Sequence, residues 1–89
     1  MLCELCEAEE AYNFHHLIPR AMHRRTWFKR NFTKEQMQEG LEVCKGCHKC
    51  IHKSIPSEKA LGKEYNTKEK LLLHSLIKKY VDWKNRRNK

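Results

Sequence analysis

"CKGCHKCIH", residues 44–52, sets three cysteines and two histidines within nine consecutive positions. Cys44 and Cys47 form a C-x2-C turn, tight enough for two thiolates to reach one ion. A second such pair, Cys3 and Cys6, opens the chain. Two pairs complete a tetrahedral tetrathiolate, a donor set zinc favours in structural sites. Four thiolates leave no coordination position open, so Cys3, Cys6, Cys44 and Cys47 are expected to hold a structural Zn²⁺. Binding of that ion, on the order of 10 kcal/mol in small zinc modules, becomes folding free energy. Cys50 makes another C-x2-C with Cys47. It is either an alternative ligand or, if 47–52 is helical and turns it away, a packed thiol.

The rest of the composition explains why such a staple is needed. Only 39% of the 89 residues are apolar and 34% are charged, so a single thin core is expected. Length allows one domain, residues 1–89, with its core at about 3–55. No apolar run long enough to span a bilayer is present, and no basic-then-apolar segment opens the chain. A cytoplasmic location follows as the expectation, with reduced cysteines, and close Cys pairs there point to metal. The odd count of five cysteines also sits poorly with a disulfide framework. The net charge of +8 is concentrated in "RAMHRRTWFKR" (20–30) and "KNRRNK" (84–89). A small basic protein is drawn to polyanions, of which nucleic acid is the commonest.

Periodicity places these motifs on an α+β scaffold. Tyr12 to Ile18, ending at Pro19, reads as a short strand and its turn. Thr33-Lys-Glu-Gln36 has capping-box spacing, which predicts a helix over 34–39 with Gly40 as its stop. "LEVC" (41–44) alternates as a second strand. No breaker intervenes between Cys47 and Pro56, so a helix can start at the cysteine knuckle. Residues 57–62 read as helix or turn. Asn66 starts an amphipathic C-terminal helix over about 67–86, with Leu72, Leu73, Leu76, Ile77, Tyr80 and Trp83 as its apolar stripe.

A structural zinc does not account for the histidines. His48 and His52 are one helical turn apart, so their imidazoles can share a metal. His15 and His16 sit in "NFHHLIPR" (13–20), on the strand that follows the first cysteine pair. Clamping the four thiols on one ion draws these two groups together, and a second, histidine-lined site for a divalent cation is expected.

The order C-x2-C, then "HHLIPR", then "VCKGCHKCIH" resembles the HNH endonuclease family, the ββα-metal nucleases with zinc-stapled members. The resemblance covers about residues 3–53. "EYNT" (64–67) and "YVDWK" (80–84) are similar to the C-terminal part of small bacterial and phage HNH proteins. The resemblance implies a β-hairpin and helix holding one catalytic divalent cation (Mg²⁺, Mn²⁺, Ni²⁺ or Zn²⁺) over a phosphodiester of double-stranded DNA, in a bacterial or phage-infected cytoplasm. It makes His15 a ligand of that cation, completed by His48 and His52, and His16 the general base. The family's middle asparagine, a few residues before the second cysteine pair, has no counterpart. Glu39 and Gly40 stand there, leaving Asn13, Asn31, Asn66 or His23 as candidates for orienting the base. Arg20, Arg24, Arg25, Lys29 and Arg30 are candidate phosphate contacts. Nothing forms a base-reading motif, so little sequence specificity is expected, and monomer and homodimer remain equally open. The alternative reading is a non-catalytic zinc-binding module that docks on nucleic acid, and a purely structural partner protein is a third.

Overall fold

Two four-residue strands form the centre of the computed structural model, which describes residues 1–87. Strands β1 (Asn13–His16) and β2 (Gly40–Val43) pair antiparallel, with His15 opposite Leu41 and His16 opposite Gly40. Between them run a 3-10 turn (Arg20–Met22) and helices α1 (Thr26–Asn31) and α2 (Lys34–Gln38). After β2 come α3 (Lys45–Ser54), α4 (Glu58–Glu64), α5 (Lys68–Leu73) and α6 (Ser75–Arg87). The fold is thus α+β, with a two-stranded antiparallel sheet and six α-helices among the described residues. None of these helices is long and apolar enough to cross a membrane.

Local sequence explains most boundaries. Thr33 accepts from the Gln36 amide at 3.1 Å and donates its own amide to Gln36 Oε1 at 2.8 Å, the reciprocal box that starts α2. That helix ends at Gln38, and Gly40 is the first residue of β2 rather than a helix stop. The reason is crowding. A Cβ at Gly40 would collide with the His15 carbonyl and the Phe14 ring, which lie across the strand there. β1 ends at His16 because Leu17 and Ile18 turn inward to buried positions before Pro19.

The C-terminal helix is where expectation and structure part. Instead of one helix over about 67–86, there are two, broken at His74, whose backbone is extended (φ −71°, ψ 122°). Its Nδ1 accepts the Leu76 amide at 3.3 Å, so the histidine caps the start of α6. Thr67, not Asn66, caps α5, accepting from the Lys70 amide at 3.1 Å. The break rotates the apolar phase. Leu71, Ile77 and Val81 enter the core, while Leu73 is 81% exposed and Leu76 and Trp83 are also exposed.

Two apolar clusters result. The larger includes Cys3, Cys6, Cys44 and Cys47 and takes in Val43, Ile51, Leu61, Leu71 and Ile77. The smaller joins Ile18, Met22, Phe28 and Met37 under α1 and α2. A Cβ at Gly62 would lie 2.9 Å from the Phe28 ring and 3.3 Å from Pro19 Cδ, so α4 sits directly on the chain leaving β1.

The broken helix makes a direct test. Leu71→Ala should cost about 2–5 kcal/mol of unfolding free energy, and Leu73→Ala less than about 0.5 kcal/mol, measured by urea denaturation. Equal losses would restore the unbroken stripe.

Candidate metal centres

The N-terminal knuckle is a turn closed by the amide of Glu7 on the Cys3 carbonyl at 3.0 Å and by the amide of Cys3 on the Glu9 carbonyl at 2.8 Å. Glu7 has φ 55°, a left-handed conformation that closes the turn just past Cys6. The Glu4 amide donates to the Glu42 carbonyl at 2.8 Å, and Glu4 Oε2 accepts the Glu42 amide at 2.6 Å. The knuckle is thereby pinned to β2, which delivers Cys44 at the start of α3.

Cys3, Cys6, Cys44 and Cys47 are each at most 1% exposed, and their sulfurs lie within 4.8 Å of one another. None is in a disulfide. Cys6 and Cys44 are 3.9 Å apart, close to the ~3.8 Å edge of a tetrahedron with Zn–S bonds of about 2.3 Å. Cys44 also caps α3, accepting the Cys47 amide at 3.4 Å, so the positive end of the helix faces the sulfurs. Thiols packed this closely compete for charge. A hydrogen bond from Cys47 holds Cys3 down to about 4, while that same contact, together with burial, pushes Cys47 up. Burial raises Cys6. Four thiolates can coexist here only around a cation, and the four buried sulfurs fit a structural metal such as zinc.

Cys50 lies off this cluster, half-buried, with its sulfur 3.8 Å from Ser54 Oγ. Of its two sequence-based readings, the structure gives the packed thiol.

Helix α6 closes the other side of the sulfurs. Lys84 Nζ donates to Cys44 Sγ at 3.6 Å and Tyr80 Oη at 3.3 Å, and pairs with Glu9 at 2.8 Å. Burial works against its charge, but the bonds to Glu9 and Tyr80 outweigh it and hold the ammonium's pKa above the ordinary lysine value. Asn85 Nδ2 donates to the Cys6 carbonyl at 2.9 Å. Gly46 makes room, since a Cβ there would collide with Tyr80 Oη and Lys84 Nζ. A tetrathiolate around a divalent ion is doubly negative, so the buried ammonium offsets part of that charge. The sequence offered no signal for Lys84, which reads there as part of a basic tail. Asn88 and Lys89 of that tail lie outside the described residues.

One turn beyond the sulfurs, α3 carries the imidazoles. Rings of His15 and His48 are 5.4 Å apart, and those of His15 and His52 are 5.5 Å apart. His48 and His52 bring their Nε2 atoms to 3.1 Å; two nitrogens on one tetrahedral ion would be about 3.3 Å apart, given Zn–N bonds of 2.0–2.1 Å. His15 is 2% exposed, and its Nε2 is a buried polar atom with no hydrogen-bond partner. Such an atom is costly unless something satisfies it. Burial, then the neighbouring His48 and His52, lower His15 to about 4, and burial followed by His52 lowers His48. His15 and His48 therefore keep free lone pairs at neutral pH, and with His52 they form a three-donor group that could hold a divalent cation.

His16, next along β1, is half-buried, with its ring edge-on to Phe14 at 5.0 Å and to His23 at 5.9 Å. Burial lowers its pKa, helped by His23 and Arg20. His23 is itself held by a 2.8 Å contact of Nε2 with the Ile18 carbonyl. Two asparagines are engaged elsewhere, Asn31 with the Trp27 carbonyl and Asn66 with the Gly62 carbonyl, while Asn13 lines a separate cleft with Lys45, Lys49, His48 and His52 rather than the one holding His16. His23 is thus the polar ring packed against His16.

A cleft of about 230 Å³ unites Phe14, His15, His16, Arg20, His48, His52 and, from α4, Glu58. Of the candidate cationic contacts, only Arg20 lines it. Arg25 lines a neighbouring cleft, and Arg24, Lys29 and Arg30 are exposed and line neither. Glu58 had no sequence signal beyond its place in the 57–62 stretch that reads as helix or turn.

Comparison of the chain with protein-family models, curated proteins and solved structures found no match in any of the three.

Replacing Lys84 with Met should weaken retention of the tetrathiolate metal by about tenfold in competition with a chelator; unchanged retention would contradict its electrostatic role. A second test uses pH. The folded chain holds His15 neutral down to about pH 4, whereas the unfolded chain protonates it near 6.5. Protons therefore favour the unfolded state between those values, and unfolding free energy falls on acidification by at most about 1.4 kcal/mol per pH unit. Above about pH 6.5 the group has no effect. Urea titrations of zinc-loaded protein without a second cation should show this dependence reduced in His15→Gln.

Proposed function

We propose that the chain is a metal-dependent endonuclease of the HNH, ββα-metal type, hydrolysing phosphodiester bonds of DNA. The observation that carries this reading is His15, a buried imidazole with an unpartnered Nε2 packed against His48 and His52. A structural role would leave that nitrogen without compensation, whereas a cation ligand has it paired.

In this reading β1, β2 and α3 form the metal-binding core, and successive residues of β1 divide the work because they face opposite sides. A divalent cation on His15, His48 and His52 supplies charge to the phosphoryl and leaving oxygens when bound. His16 is unprotonated at neutral pH and takes the proton of the attacking water. The water oxygen bonds to phosphorus as the bond to O3′ breaks. The products are a 5′-phosphate and a 3′-hydroxyl, whose proton comes from solvent. His23 holds the base ring edge-on, the role an asparagine has in the resembling family. Arg20 pairs with a phosphate oxygen at the mouth of the cleft.

Incubation of supercoiled plasmid with zinc-loaded protein and Mg²⁺, Mn²⁺ or Ni²⁺ should produce nicked circles. His16→Ala should reduce the rate by about 100-fold or more while zinc content stays at one per chain. Absence of nicking with every cation would favour the zinc-binding nucleic-acid module, which needs no second ion.

A further inference from the structure

A second cleft adjoins the histidine cleft. It encloses about 430 Å³ between α1 and α4, with Met22 and Phe28 as its buried floor and Trp27 in its wall. Arg25, Lys59 and Lys63 line it, and no acidic residue does. Trp27 is 42% exposed, and Lys63 Nζ lies 4.2 Å from its ring centroid. The two clefts share a ridge. Pro19 and Arg20 line the histidine cleft, and Met22 and Arg25 line this one. On α4, Glu58 faces the first cleft and Lys59, its neighbour, the second. Gly62 packs against both Phe28 and Pro19, holding α4 and the ridge in register.

An apolar floor, an exposed indole and three cations together select a narrow class of ligand. A bare anion would leave the aromatic wall unused, and an apolar peptide would strand the cations. A nucleotide uses both: its base stacks on the indole as Lys63 leaves the ring face it covers, and its phosphate meets the ammonium and guanidinium groups. A base inside a duplex cannot present its face to a cleft wall, so the nucleotide must be unstacked.

We infer that the cleft between α1 and α4 is a nucleotide subsite that takes one unstacked base of single-stranded DNA beside the histidine cleft. The inference deepens the nuclease reading by naming its substrate: DNA with an unpaired nucleotide flanking the scissile bond. The chain would then choose targets by strand structure, in keeping with its lack of a base-reading motif.

Binding can be followed without cleavage. In zinc-loaded His16→Ala protein carrying Trp83→Phe, Trp27 is the sole tryptophan. A short oligothymidylate should quench its emission and bind at least about fivefold more tightly than a duplex of equal length. Trp27→Ala should weaken oligothymidylate binding, read by anisotropy of a labelled strand, by about tenfold. Lys59→Ala with Lys63→Ala, both on the helix surface, should also weaken it and flatten its salt dependence. Circular dichroism and zinc content check that each variant is folded, and the surface lysine pair carries the test if Trp27→Ala is not. Equal affinity for both strands, no quenching, or quenching reproduced by inorganic phosphate or an acidic peptide would overturn the subsite. If oligothymidylate binds as expected but plasmid nicking is absent, the subsite stands and the nuclease reading falls. If nicking occurs at an unchanged rate on gapped plasmid with Trp27→Ala, the reverse holds.

Discussion

Four sulfurs buried within one small volume cannot all carry charge unless a cation sits among them, and the rest of the molecule is arranged around that condition. One pair comes from a turn at the start of the chain, the other from the first turn of α3. Their meeting presses β1 beside β2 and lays α3 along the sheet. Helix α6 adds its own charge, with Lys84 against Cys44 and Asn85 on the Cys6 carbonyl. In a chain with so little apolar surface, ionic contacts and the coordinate bonds these four sulfurs could make to a metal would take over much of what a larger core would supply.

The histidine cluster is a geometric by-product of that clamp. His48 follows Cys47 directly, and His52 is one turn further along the same rigid helix. His15 arrives from the strand that the first cysteine pair anchors. None of the three needs a loop to bring it into place, so the cluster inherits the precision of the sulfur site. The two donor sets that meet at α3 also differ in kind. Thiolates are soft and closed around their ion, whereas imidazoles are neutral and leave an ion its full charge and open positions.

What the sequence made legible was what short-range spacing encodes. C-x2-C pairs, a His pair one turn apart and a capping box each specify geometry within a few residues, and Cys3, Cys44, His15, His48 and Thr33 all sit where those spacings lead. The break at His74 was not legible, because an apolar stripe with three- and four-residue steps reads equally well through a capping histidine. Lys84 was hidden for a related reason. A lysine in a basic run gives no sign that the helix will turn it towards sulfur. Helix α1 had no periodic signature at all: six residues with one buried ring, Phe28, are set by tertiary packing against Met22 and Met37.

Joining sulfur and nitrogen on one helix has a chemical consequence. Imidazoles withstand mild peroxide, but thiolates are converted to sulfenic acid and beyond. Loss of a single sulfur donor would release α3 from the knuckle and scatter three histidines that the oxidant never touched. The weak point under oxidative stress therefore lies away from the histidines, and its protection is the dry packing of Cys3, Cys6, Cys44 and Cys47.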